Sequence, residues 1–293
     1  MKLSFSTRGW GDLSWDTLLD TALEMKFTGI EVYDLYKFPA LTGKGGPFHP
    51  HRVAATIRQL RDKKLSIPCL DTSMDLSENE ANAEEFRKRH IISREKQIVL
   101  NGAGINLESY PYCEYPKNEK FHFLYLGRIM REKGMDELFW AVKKLHQEGE
   151  KFVLDLVGFF EDEYKEQVED LEKQGIAVFH GFSENPRPYY EGADCVVMPS
   201  YHEGMSNVLL EAAAVGRPVV TSDIPGCREA VEDKKTGCLV KVKDEDSLYE
   251  GMKYVLRMSR AEREAMGMAG RKKMKREFDK RTVVGETVKA LGV

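Results

Sequence analysis

A chain of 293 residues with 44 basic and 48 acidic side chains, a net charge of −4 and 42% hydrophobic residues describes a folded protein with a well-charged surface, long enough for two α/β domains. A charge balance this even carries no electrostatic footprint for nucleic acid, so no nucleic-acid partner is expected. Five scattered cysteines (Cys69, Cys113, Cys195, Cys227, Cys238) without a Cys-x-x-Cys pair read as reduced thiols of a cytoplasmic protein; no apolar run reaches 18 residues and no signal-like core opens the chain, so neither export nor a transmembrane segment is expected, and any membrane contact is peripheral.

Short β-like runs alternate with helix-length segments throughout. "KLSFST" precedes a helix capped by Ser14 and running to about Lys26; "GIEVYDLY", a Gly/Pro-rich loop, a helix over about 51–63, "LSIPCLDTS", the charged helix "ENEANAEEFRKRH" and "KQIVLNGAG" follow. This predicts a small parallel sheet of about four strands over residues 1–105. "INLESYPYCEYPKNEK", polar and without periodicity, reads as a linker over 106–118.

Beyond it, "FHFLYLG", "FVLDLVG", "IAVFHG", "DCVVMPS", "PVVTS" and "GCLV" predict six strands, each followed by a helix candidate and apolar enough to be buried on both faces. The fold class is therefore α/β: a doubly wound, Rossmann-like domain over about 119–275, preceded by the smaller parallel-sheet domain and followed by a terminal helix over 276–293 able to pack back on the N-terminal domain.

In open parallel sheets ligands sit outside the carboxyl ends of the strands, which directs attention to Gly127, Arg128 and Lys133 after the first of these strands, "FSENP" after the third, "YHEGMSN" after the fourth and "DIPGCRE" after the fifth. Gly204, Met205, Ser206 and Asn207 open an apolar helix, with Ser206 or Asn207 near its cap; the amides at such a helix start favour an anion. Arg128 and Lys133 add cations. Glu203 precedes the helix. Glu211, on its second turn among apolar neighbours, needs hydroxyl or amide partners because no cation stands beside it in the sequence; a ribose diol would supply two hydroxyls. Each residue alone admits a plain structural reading, as strand end, surface charge or turn. Together they describe a site for a sugar linked to a phosphate ester.

Over about 86–293 the chain resembles the donor-binding half of GT-B glycosyltransferases of the retaining family 4. The resemblance rests on "VLNGAGINLESY", "FLYLGRIMREKGMDEL", "VFHGF", "YYEGADCVVMPSYHEGMSNVLLEAAAVGRPVVTSDIPGCREAVED" and "TGCLV". It implies that Glu203, first acid of the E-x7-E segment, lies beside the donor sugar, that Glu211 takes the ribose hydroxyls, and that the 204–207 amides with Arg128 and Lys133 hold the diphosphate. The backbone around His180, Gly181 and Phe182 would meet the base, most often uracil. It further implies a GT-B-like arrangement, a UDP-sugar donor, a saccharide or lipid-linked acceptor, polysaccharide biosynthesis, and no cofactor or metal.

The first 80-odd residues are instead similar to the start of sugar-phosphate isomerase/epimerase barrels, through "TALEMKFTGIEVY" and "HRVAATIRQLRDKKLSIPCLDTSMDLS". Only three of that barrel's eight strands are present, and His49 and His51 have no acidic partner to make a metal site. The chain reads as a chimera-like join near 78–86. Two functions follow: a hexosyltransferase-type enzyme, its activity affected by the atypical first domain, or a nucleotide-sugar binding module without efficient transfer.

Overall fold

The computed structural model describes residues 4–6, 14–32, 39–49, 51–70, 84, 87–88 and 102–291. Its contacts divide the chain into two units, Met1–Leu76 and Ser77–Val293.

The first unit holds three parallel strands, β1 (Ser4–Ser6), β2 (Gly29–Val32) and β3 (Ser66–Leu70), in spatial order β1-β2-β3. The helix Trp15–Glu24 starts as expected: the Ser14 hydroxyl accepts the Thr17 amide at 3.2 Å, satisfying one orphan donor of the first turn. Leu19 and Ala22 of this helix and Leu60 of the helix Val53–Asp62 pack with Ile30, Val32, Leu41 and Leu65. Gln59 and Lys63 tie the second helix to Asp16 and Asp20 of the first, at 2.6 and 2.7 Å. The expected fourth strand, near residue 97, falls outside the described residues.

The second unit is a six-stranded parallel sheet of β4 (Phe121–Leu126), β5 (Phe152–Val157), β6 (Ala177–Gly181), β7 (Cys195–Met198), β8 (Val219–Ser222) and β9 (Cys238–Val240), in order β6-β5-β4-β7-β8-β9. All six predicted strands are present. Period-two alternation explains their nearly unbroken apolar runs. Phe121, Phe123 and Tyr125 of β4, with Cys195 and Val197 of β7, pack beside Leu138 and Val142 of the helix Met135–Gln147 and Met252 of the helix Glu245–Arg257. The alternate residues Leu124, Val196 and Met198 join Leu209, Leu210 and Ala213 of the helix Asn207–Val215, with Met274 and Phe278. The strand order reverses between β4 and β7, and that reversal opens a crevice at their carboxyl ends.

The 106–118 stretch has the composition of a linker, but the division of the chain lies earlier, between Leu76 and Ser77. Residues 105–118 are strapped along the second unit. Ile105 exchanges backbone hydrogen bonds with Phe278 and Lys280 at 2.7 and 3.0 Å, and the Cys113 amide reaches the Val215 carbonyl at 3.1 Å. Arg217, fully buried, donates to the carbonyls of Cys113, Glu114, Tyr190 and Glu191 at 2.8–3.0 Å. Arg271 donates to Tyr110 and Ala214 carbonyls, both at 2.7 Å. Carbonyls that a free linker would give to water are here paid for by guanidinium groups. The expected C-terminal helix forms as Lys280–Leu291, with Val283 buried.

Candidate nucleotide-sugar site

The crevice is assembled by backbone contacts between loops far apart in sequence. The Gly127 amide, just past β4, donates to Val157 at 2.9 Å, and the Gly158 amide past β5 donates to Gly181 at 2.8 Å, drawing the ends of β4, β5 and β6 together. The turn Arg131–Lys133 leans on the segment after β7: Tyr201 donates its amide to the Glu132 carbonyl at 2.8 Å. Gly134 permits this closeness. Its φ is +74°, and a Cβ there would come within 2.2 Å of the Pro199 carbonyl oxygen, so both conformation and space require glycine.

This contact brings together two residues 70 positions apart. Lys133 Nζ stands 2.6 Å from Glu203 Oε1, with the two side chains 18% and 15% exposed. Arg128 pairs with Glu161 at 2.8 Å in a far wetter setting, the side chains 48% and 42% exposed. Arg128 is held through its backbone as well, its carbonyl accepting from the Tyr125 phenol.

Ser206 is the helix cap. Its hydroxyl accepts the Leu209 amide at 3.5 Å and donates to Met198 Sδ at 3.1 Å, so the side chain serves the fold rather than a ligand. Asn207 and Val208 line the cleft, and first-turn amides such as theirs have no carbonyl within their own helix. Tyr125, Gly127, Arg128, Lys133, Glu203, Met205, Ser206 and Asn207 together line a recess of about 290 Å³. A larger recess of about 420 Å³ in the first unit, beside Trp15 and Arg52, has its Thr56, Gln59 and Arg52 side chains already bonded to Pro47, Asp16 and Gly45.

Glu211 lies one helical turn beyond Asn207, on the same face, and does not line the recess itself. The hydroxyl partners its apolar neighbours demanded are phenols: Tyr190 donates to Oε2 at 2.8 Å, and Tyr110, on the strap, also bonds the carboxylate. Burial raises the Glu211 carboxyl above its ordinary value, outweighing the two phenols, which favour the charged form. The same burial and the nearby acid push Tyr110 up to about 12 and Tyr190 well above its usual range.

His180 and Gly181 end β6 and Phe182 follows it, on the far side of β5 from Gly127. The His180 ring is turned to the sheet, where Nε2 meets Asp155 Oδ1 at 2.7 Å; His122 Nδ1 takes the other carboxylate oxygen at the same distance. Burial would raise the Asp155 carboxyl, but the hydrogen bonds from His122 and His180 outweigh it and leave it below its ordinary value. Phe182 is 66% exposed and meets Phe159 edge to face, ring centroids 6.2 Å apart. Its neighbour Phe159 carried no sequence signal, and neither did Glu161, Asp155, Tyr110 and Tyr190, each bonded to a partner distant in the chain. Gly226 belongs to "DIPGCRE", the segment that the sequence puts after β8 on the same rim. It abuts the Glu203 and Gly204 backbone.

The family model for glycosyl transferases group 1 matches residues 114–273. The chain belongs to this family. CapM, the capsular polysaccharide biosynthesis glycosyltransferase of Staphylococcus aureus, is 27% identical over 207 residues, which are 66% of this chain and 54% of CapM. The N,N'-diacetylbacillosaminyl-diphospho-undecaprenol alpha-1,3-N-acetylgalactosaminyltransferase of Campylobacter jejuni is 30% identical over 61% of this chain and 50% of its own length. The chain thus spans about half the length of these curated relatives. Among solved structures, a Rickettsia africae glycosyltransferase superposes with a TM-score of 0.69 at 12% identity, covering 94% of this chain and 80% of that one. Anabaena HepE, solved with UDP and glucose, gives 0.67 at 15% identity over 94% of this chain and 81% of that one. At these identities the likeness establishes the fold: parallel-sheet α/β, as in GT-B glycosyltransferases. Among the described residues no helix is long and apolar enough to cross a membrane.

Proposed function

We propose that the chain is a retaining glycosyltransferase that takes a hexosyl group from a UDP-sugar and passes it to a saccharide or lipid-linked acceptor. One observation carries the reading: at the switch point of the sheet, Arg128, Lys133, Glu203 and the start of the helix Asn207–Val215 line a single recess. When the sugar's anomeric bond to the diphosphate breaks, negative charge grows on the departing phosphate. Two cations and the positive end of a helix dipole stabilise charge at that place. In this reading Glu203 accepts hydroxyls of the sugar, and Glu211 those of the ribose. The rim at 180–182, with exposed Phe182, is assigned to the base. The protein's part is electrostatics and positioning, with no step that calls for a metal.

UDP as the nucleotide is supported by HepE, solved with UDP. A carbohydrate or lipid-linked acceptor is supported by the names of CapM and the C. jejuni transferase. A cytoplasmic setting accords with the unpaired thiols Cys113, Cys195, Cys227 and Cys238.

A second reading, left open by the sequence of the first 80-odd residues, is a module that binds nucleotide sugars without transferring them. Calorimetry with UDP-, GDP- and ADP-sugars, run beside a product assay over saccharide and lipid-linked acceptors, separates the two. Binding of a UDP-sugar with product supports the transferase; binding without product supports the module; no nucleotide-sugar binding overturns both.

A further inference from the structure

Both cations of the cleft already have carboxylate partners, and the two pairs are not alike. Arg128–Glu161 is half exposed, and solvent screens it. Lys133–Glu203 is mostly buried, at 2.6 Å, and both of its residues line the recess. Neither residue of that pair is free to withdraw its backbone. Lys133 is carried on a turn locked to Pro199 and Tyr201 through Gly134 and Glu132, and Glu203 is pressed against Gly226.

Resting on the nucleotide-sugar reading of this cleft, we propose that Glu203 is a resident counter-ion of Lys133. It competes with any incoming diphosphate and so makes the site prefer an intact nucleotide sugar over the spent nucleoside diphosphate. An incoming diphosphate that takes Lys133 strips Glu203 of its partner in a poorly hydrated place. A nucleotide sugar repays that loss, because sugar hydroxyls donate to the freed carboxylate. A nucleoside diphosphate brings no such hydroxyls and carries an additional negative charge on its terminal phosphate, next to the same acid. The pair then weakens product binding more than donor binding, which speeds product release.

The test is the isosteric variant Glu203→Gln, with Glu161→Gln as the control for simple removal of negative charge. Inorganic pyrophosphate, UDP and UDP-glucose are titrated into each protein by calorimetry, without acceptor, and melting temperatures confirm folding. With Glu203→Gln, pyrophosphate and UDP bind about fivefold tighter, the scale of a modest ion pair, while UDP-glucose gains nothing. Glu203→Asp, which keeps the charge on a shorter stem, falls between parent and Gln. Glu161→Gln shifts all three ligands by one common factor. The proposal is overturned if pyrophosphate does not tighten, if UDP and UDP-glucose move together in Glu203→Gln, or if Glu161→Gln reproduces the split. The pyrophosphate arm separates two failures. A parent that binds pyrophosphate but neither UDP nor UDP-glucose sinks the nucleotide reading, whereas a parent that binds all three with no tightening in Glu203→Gln sinks only the counter-ion.

Discussion

Gly226 and Gly204 meet backbone to backbone: a Cβ on Gly226 would stand 2.0 Å from the Gly204 carbonyl oxygen and 2.5 Å from that of Glu203. The loop after β8 therefore sets the position of the segment that leads into the helix start. Gly226 also has a φ of +88°, so Gly226→Ala adds left-handed strain of about 1–2 kcal/mol to overpacking of about 1–3 kcal/mol. The expected result is a lower melting temperature together with weaker UDP binding. Gly149→Ala is the matched control, with φ +82° and open space around the added methyl; it loses stability to strain but keeps the parent's affinity. Parent-like UDP binding by folded Gly226→Ala would show that this contact does not position the site.

The two cations should not be equal. Lys133→Ala is expected to weaken UDP by about 1.5–3 kcal/mol, the scale for a hydrogen bond to a charged group. Arg128→Ala is expected to cost less, about 1 kcal/mol, because solvent screens a half-exposed guanidinium. Uridine, which has no phosphate, should bind both variants as it binds the parent. Isothermal titration with UDP and uridine checks this, and an equal loss for the two ligands means that these residues hold structure rather than phosphate.

How much of this was legible in the sequence follows from where each signal resides. The six strands of the second unit were legible because each is a local apolar run, and the rim followed because a parallel sheet puts its binding edge at the strands' carboxyl ends. Gly127, Arg128, Lys133, Glu203 and the 204–207 step sit there for that reason. What one residue's neighbours cannot report is its partner across the fold. Nothing near Lys133 announces Glu203, nothing near Arg128 announces Glu161, and the Tyr190 phenol reaches Glu211 from 21 positions away. The family resemblance points to the backbone around His180 for the base, and nothing near His180 announces that its ring is committed to Asp155. The strap looks like a linker for the same reason: Pro111, Pro116 and polar neighbours have a linker's composition, and Arg217 and Arg271, which hold it down, lie more than a hundred residues later.

Arg217 gives that correction a test. It is fully buried, and its guanidinium satisfies carbonyls of Cys113, Glu114, Tyr190 and Glu191. Arg217→Met removes the donors and leaves the acceptors buried. Urea unfolding should show a loss of about 3–5 kcal/mol, because several buried carbonyls each lose a donor at about 1–3 kcal/mol apiece, and limited proteolysis should begin within 106–118. Arg217→Lys should rescue little, because one ammonium cannot span four carbonyls. A variant with unchanged unfolding and an intact strap would return this stretch to the status of a linker.

The last prediction concerns the titration of Glu211. Burial raises its carboxyl above the ordinary value of 4.5, against the opposing hydrogen bonds of Tyr190 and Tyr110. Between the ordinary and the raised value, the native protein holds a proton that the unfolded chain has released. Stability from this group therefore falls as pH rises through that window and stays lower above it. Glu211→Gln, which does not titrate, should lack that slope. Ligand binding should run the other way. Ribose hydroxyls donate to the carboxylate, and a protonated carboxyl offers fewer acceptor sites, so uridine affinity should rise with pH through the same window and then level off. Uridine is the right probe because it brings no phosphate titration of its own. With Glu211→Gln the uridine profile should be flat and, at pH 7, about 1–3 kcal/mol weaker. 2′,3′-Dideoxyuridine should give a flat profile with both proteins, since it has no diol to donate. If uridine and the dideoxy compound respond alike to pH and to the substitution, Glu211 does not hold the ribose, and its two tyrosines serve only to satisfy a buried acid.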